Sequence, residues 1–483
     1  MLKAYQLHSV KTMSLLISFF ASFSVFANET VSGEVLPDQI AVEQKVPLQL
    51  NTAEQDKMAQ QYSNEQVLDE KFPQLKLLFK QKIAELYADN NYQSLWNDEQ
   101  SIRQFLYDYS ALAISGVSKS SWEQLVKLDA APLNSLERDI LLTDSFLDYL
   151  YYADNLNKFA QKWLYDKGYY ATTLPADERI EAWLSALKQS RSLDFLNSLS
   201  NHNYLYNQTL ASLPNYMANL NDKNALAKLY KMAANIQRLR VIPEFKNGLF
   251  VNIPSYKLYY YRNGELVLDS KVIVGKKERK TPVMYSKLSN VVVNPPWNAP
   301  IRLINEDIIP KVRKDPSYIY RNGYTIIDSK GRTIDPYTID WENMTAKKFP
   351  YRLRQVPGDS ALGDFKFNMP SSDAIYLHDT PNRGYFARKD RALSSGCVRV
   401  EQSNQLATIL LKESGWTEQR RDNTLKSRKT VSVNISSENP VFLYYVTSWV
   451  ENGVEHNLPD IYGYDRVPKL DHIDWNLIKK YLN

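Results

Sequence analysis

Cysteine is almost missing from this chain: 483 residues contain one, Cys397. A single thiol excludes any disulfide within the chain, and with it a metal site built on paired cysteines. Histidine is scarce too. His8, His202, His378, His456 and His472 are scattered without ligand spacing, so neither a metal nor another cofactor is expected. The formal charge of +5 is too small to argue for a nucleic-acid partner. Beyond the first residues no apolar run is long enough to span a bilayer, which leaves no stable membrane span after the leader is removed.

The start of the chain is of another kind. Lys3 and Lys11 flank the approach to the apolar run Met13 to Phe26, and Val25-Phe26-Ala27 supplies small residues at a cleavage position. The run of about 14 residues is short against the roughly 20 that a membrane core requires. Residues 1–27 therefore read as a signal peptide, and an extracytoplasmic compartment as the destination. In an oxidising compartment a lone surviving thiol reads as functional rather than idle.

With 44% hydrophobic and 23% charged residues the body can bury large cores in two or three domains. Residues 28–70 are polar and read as a flexible leader. From Lys71 the apolar residues recur at helical spacing, as Leu75, Leu78, Phe79, Ile83, Leu86 and Tyr87, and similar stripes follow at 102–112, 136–152, 180–187, 205–220 and 224–240. That predicts an α-helical scaffold over 71–245, with Trp96, Trp122, Trp163 and Trp183 as core anchors and His202 at the surface. After Pro243 the period falls to two. Leu249 to Tyr261 runs into Asn263-Gly264, a strong hairpin signal, and Glu265 to Val274 returns. Further strands are expected at 290–293, 365–368, 374–378, 398–400, 431–435 and 441–450, with one helix at 403–413. The reading is an α+β chain: a helical scaffold followed by a mainly-β catalytic domain over 246–450. Its long excursion at 298–357, helical near 303–313, is expected to be a lid. Residues 451–483 are expected to pack on the body as a C-terminal tail. The basic cluster Lys276 to Lys280 reads as a solvated turn or a lure for an anionic polymer, and most of the 33 tyrosines as core.

Chemistry concentrates around the cysteine. A thiol acts as a nucleophile only as thiolate and needs a base within about 2.6–3.2 Å. His378 ends a predicted strand nineteen residues before Cys397, itself at the start of another. Ser395 and Gly396 let the backbone turn tightly and free amides for an oxyanion. Arg399, two residues on, shares the face of Cys397 and suits a substrate carboxylate or a lowered thiol pKa, with a structural ion pair as the competing role.

His378 followed by Ser394-Ser395-Gly396-Cys397-Val398-Arg399 resembles the signature of the L,D-transpeptidases, cysteine enzymes of the YkuD type that cross-link peptidoglycan. Val251 to Pro254, Val274-Gly275, Lys280 to Pro282, Asn290 to Trp297 and Phe367 to Ser372 look like the large periplasmic YcbB-type members. The resemblance implies a reaction with peptidoglycan stem peptides. Cys397 attacks the carbonyl of the third residue of a tetrapeptide stem, usually diaminopimelate, and releases D-alanine; the thioester then passes to an amine of another stem as a 3-3 cross-link. His378 would be the base, the backbone at Ser395, Gly396 and Cys397 the oxyanion site, and Asp379 the orienting neighbour; in the family a backbone carbonyl often serves there, so no role is assigned to its carboxylate. Tyr376, Trp297, Asn368 and Arg399 would contact substrate, and carbapenems would acylate the thiol. The chain departs from short members in carrying Ser395 where they have histidine. It departs from large members in lacking room for a peptidoglycan-binding insertion. Water as acceptor, giving an L,D-carboxypeptidase, or a lipoprotein amine are the enzymatic alternatives, and a wall-binding scaffold with a degenerate site the non-enzymatic one. Papain-like and NlpC-type peptidases place cysteine before histidine, the reverse of the order here. Oligomeric state is not legible.

Overall fold

The computed structural model describes residues 52–166, 168–218, 220–435, 438–466 and 474–482. The signal peptide, the leader up to residue 51, His8 and His472 lie outside the described residues. The chain divides into two units at residues 56 and 57, and the account below concerns the second.

The expectation of an unstructured leader up to residue 70 is corrected by a helix over Thr52–Lys71, whose Leu68 is buried. Its polarity hid a composition of strong helix formers, Gln, Glu, Lys and Met. Helices follow at Lys80–Asp89, Glu99–Ser115, Leu136–Ala160, Asp177–Lys188, Tyr204–Ala211 and Lys223–Leu239. Asp98, Ser135 and Asp222 cap three of them by accepting a backbone N–H. Two more escape the periodicity: Ser192–Ser198 has too few turns to display a stripe, and the buried face of Ser120–Ala130 mixes Ser121 and Gln124 with Leu125 and Leu128, which interrupts the apolar period. Leu136–Ala160 is buried over most of its circumference, with Asp139, Asp144 and Asp148 among its buried residues, and runs through the interior. Its Asp144 accepts the amides of Leu78 (2.8 Å) and Phe79 (2.9 Å), fixing the start of Lys80–Asp89. Trp96, Trp163 and Trp183 are buried, whereas Trp122 is only partly so, and His202 is exposed.

The β region forms one curled sheet. Its strand order is Val431–Asn434, Asn290–Val293, Phe365–Asn368, Leu377–His378, Val398–Val400, Glu265–Gly275, Lys257–Arg262, Gly248–Asn252, Pro440–Tyr444 and Met284–Lys287. Val291, Val293, Phe365, Phe367, Leu377, Val398 and Val400 point inward, and the Ser403–Glu413 helix lends Leu406, Ala407, Leu410 and Leu411 to the same core. The expected strand at 441–450 is broken: Pro440–Tyr444 ends and Ser448–Glu451 pairs with Val454–Asn457 as a separate hairpin.

No core boundary falls at residue 245. Buried side chains from Leu68 to Leu482 make one continuous cluster. Asn235 of the last scaffold helix accepts the Thr447 amide (2.8 Å), and the buried Arg238 pairs with Asp465 (2.6 Å) and donates to the Tyr464 carbonyl (2.6 Å). The Trp475–Leu482 helix buries Leu477, Ile478 and Leu482 in the same cluster and contacts Glu99–Ser115. The 298–357 excursion, by contrast, owns a core of Ile304, Ile308, Ile309, Val312, Ile319, Ile326, Trp341, Phe349 and Leu353. It also holds most of a small sheet, in the order Trp297–Asn298, Arg352–Gln355, Tyr324–Ile327 and Thr333–Ile334.

Candidate active site

Three adjoining strands carry the site. Phe367 lies beside Leu377 and Leu377 beside Val398; one residue on, Lys366 lies beside His378 and His378 beside Arg399. Alternation along each strand sends the first row into the core and the second to the opposite face. Tyr376 and Cys397 precede His378 and Arg399 by two residues, so they share the face of the second row, and the Val398 amide donates to the Tyr376 carbonyl (3.1 Å) between them. Tyr376, His378, Cys397 and Arg399 line one cavity of about 660 Å³, together with Trp297 and Ser395.

The imidazole is buried, with 5% of its surface exposed, and its Nδ1 lies 2.5 Å from the Asp379 carbonyl oxygen. A carbonyl only accepts, so the proton sits on Nδ1 and Nε2 keeps its lone pair. Burial first, then the Arg399 charge and more weakly Lys366, push the His378 pKa down to about 3, against the Asp379 bond, which raises it. Burial also pushes the Cys397 thiol up, opposed by bonds from Tyr376 and by the Lys366 and Arg399 charges. The resting pair is a neutral thiol and a neutral imidazole rather than an ion pair. The thiol donates to the Ala374 carbonyl at 3.8 Å, so its proton is not directed at His378 in this state.

The turn before the cysteine is fastened on every side. Gly396 holds φ +120°, and a β-carbon there would come within 3.2 Å of Ile375. Thr281 donates to the Gly396 carbonyl (2.6 Å) and Ser394 to the Cys397 carbonyl (2.6 Å). The Gly396 amide itself donates to the Ser394 hydroxyl (3.1 Å), which corrects the expectation that it faces an oxyanion. The Asp379 carboxylate is turned away from the imidazole, accepting Ser403 (2.7 Å), the Asp364 amide (2.9 Å) and Arg383 (3.1 Å). Asn368 lies outside the cavity, at the far end of its strand beside Asn290.

Two residues of the site escape the sequence reading. Lys366 sits between the buried Phe365 and Phe367, and that alternation was the available signal for its side. Its ammonium lies 4.1 Å from the centre of the Tyr376 ring. Arg279 belongs to the basic cluster expected to be solvated, yet it is 8% exposed. It donates to Ser395 Oγ (3.0 Å) and pairs with Glu306 (2.6 Å) and Asp307 (2.5 Å) at the root of the excursion. The excursion thus forms one wall of the cavity, through Asn298, Pro300, Arg302 and Leu303, beside Trp297 just ahead of it.

Residues 246–433 match the L,D-transpeptidase catalytic domain (YkuD), and residues 81–213 match a scaffold domain. A Haemophilus influenzae protein provisionally named an L,D-transpeptidase is 59% identical over 408 residues, 84% of this chain and 83% of its own. A solved structure described as the Ldtfm–avibactam carbamoyl enzyme aligns with 42% of this chain and 50% of its own at 10% identity and a TM-score of 0.20, too distant to carry argument. With a scaffold domain ahead of a YkuD catalytic domain, and a relative this similar over most of its length, the chain belongs to the L,D-transpeptidase family, consistent with its large YcbB-type subgroup.

Proposed function

We propose that this protein is a periplasmic cysteine L,D-transpeptidase that joins peptidoglycan stem peptides through 3-3 cross-links. The observation that carries the reading is one neutral imidazole and the chain's one thiol on adjoining strands, facing a single cavity. Substrate entry would turn the thiol from the Ala374 carbonyl toward His378 Nε2. Sulfur then attacks the carbonyl of the third stem residue as its proton passes to Nε2. The oxyanion would be met by the Ser395 and Cys397 amides. Collapse breaks the peptide bond, the imidazolium protonates the departing D-alanine amine, and a thioester remains on Cys397. An amine of a second stem attacks the thioester and gives its proton to His378; the C–S bond then breaks, and the imidazolium returns the proton to the departing sulfur, regenerating the thiol.

Coupling proton transfer to attack fits a site that holds both groups neutral, because neither charge need be desolvated before substrate arrives. Trp297, Tyr376 and Arg399 are proposed to hold the donor. The same thiol is proposed as the point of acylation by carbapenems. No helix among the described residues is long and apolar enough to cross a membrane. Acid-quenching the enzyme during turnover of a tetrapeptide donor and mapping peptides by mass tests the route. An acyl group on the Cys397 peptide is expected; turnover without any such adduct, under conditions that trap a thioester, contradicts it.

A further inference from the structure

His378 stands between two cations. Lys366 pairs with it on one side and Arg399 on the other, so the three side chains form a row across three strands on the cavity face. At about 4.8 Å per strand the two cationic residues start about 10 Å apart along the backbone row. Neither has a hydrogen bond or ion pair among the described residues: Arg399 Nε is buried without an acceptor, and Lys366 has only the Tyr376 ring beneath its ammonium. The other cations of the cavity are engaged, Arg279 by Glu306 and Asp307 and Arg302 by Glu306. Asp373, the one carboxylate lining the cavity, is exposed at its rim. Two half-buried positive groups without counter-ions are costly to keep and favour a ligand that brings two negative ones.

Resting on the proposed acyl transfer, we infer that Lys366 and Arg399 form a two-point carboxylate clamp, selecting donor stems whose third residue carries a free side-chain carboxylate in addition to the carboxylate of the terminal D-alanine. A tetrapeptide donor offers both anions, one on each side of the attacked carbonyl. Binding both would align that carbonyl over Cys397 while placing no further charge on the buried imidazole. Lys366 is in this account a specificity residue, and its role differs from supporting the thiolate, which would serve every donor alike.

The test compares two tetrapeptide donors that differ only at the third side chain, diaminopimelate with its carboxylate free or converted to the carboxamide. Each is given to the full-length wild type and to Lys366→Met and Lys366→Arg, with folding checked by circular dichroism. The wild type is expected to favour the free acid by about tenfold or more in kcat/KM. Lys366→Met should bring the ratio to within about twofold, and Lys366→Arg should restore it. Equal use of both donors by the wild type overturns the clamp. So does a uniform slowing by Lys366→Met that preserves the ratio, which would assign the lysine to the thiolate. Failure of the wild type on both donors removes the acyl-transfer reading as well, and is told apart by the absence of any D-alanine release.

Discussion

At Cys397 the proton decides reactivity. Burial raises the thiol above its ordinary value, and the neighbouring imidazole is held far below its own, so between about pH 3 and the thiol's titration both groups are neutral. Alkylation by iodoacetamide follows the thiolate fraction, and should rise about tenfold per pH unit from pH 6 to 9 without a plateau. An ion pair would instead give a flat, fast rate across neutral pH. Replacing His378 by alanine removes the acceptor of the proton during attack, and kcat/KM should fall by about 10²–10⁴. The cysteine and histidine were legible in the sequence because the cysteine is unique, only five histidines compete for the second place, and the order of the two is distinctive. Lys366 and Arg279 were not, because their positions depend on which strand lies beside which and on where an excursion of some sixty residues folds back.

Among the elements, the excursion at 298–357 matters most, since it has its own core yet is tied to the turn that carries the nucleophile. Arg279 makes that tie, holding Asp307 and Glu306 on one side and Ser395 on the other. Arg279→Gln and Asp307→Asn should each lower kcat/KM, and the double variant should lose less than the sum, with a coupling of about 0.5–3 kcal/mol on the activation free energy. Strict additivity would mean that the contact does not link excursion and turn. The hairpin was readable because Asn263-Gly264 fixes it locally, with both residues at positive φ. The small sheet of the excursion was not readable. Its strands are two to four residues long and pair across gaps in sequence, so no period develops.

Across the whole molecule, scaffold and sheet are one hydrophobic body, although family resemblance divides them near residue 245. They should unfold in one transition, and amides of Lys223–Leu239 and Gly248–Asn252 should lose hydrogen-exchange protection together. The amides of Tyr324–Ile327, which rest on the smaller core, should exchange earlier. Arg238→Ala removes one of the partners of Asp465 at the junction, leaving it Lys231 (3.6 Å) and the Thr447 hydroxyl (2.8 Å), and should cost about 1.5–3 kcal/mol while keeping the transition single. Two separate transitions would contradict the shared core.

The most direct measurement is product analysis by mass spectrometry after incubating the purified protein with tetrapeptide-rich muropeptides. Wild type should yield 3-3 linked dimers with one D-alanine released per link, and Cys397→Ala, folded to the same thermal midpoint, should yield neither. Cross-linking retained by Cys397→Ala, or a wild type that releases no D-alanine from any stem, would contradict the account.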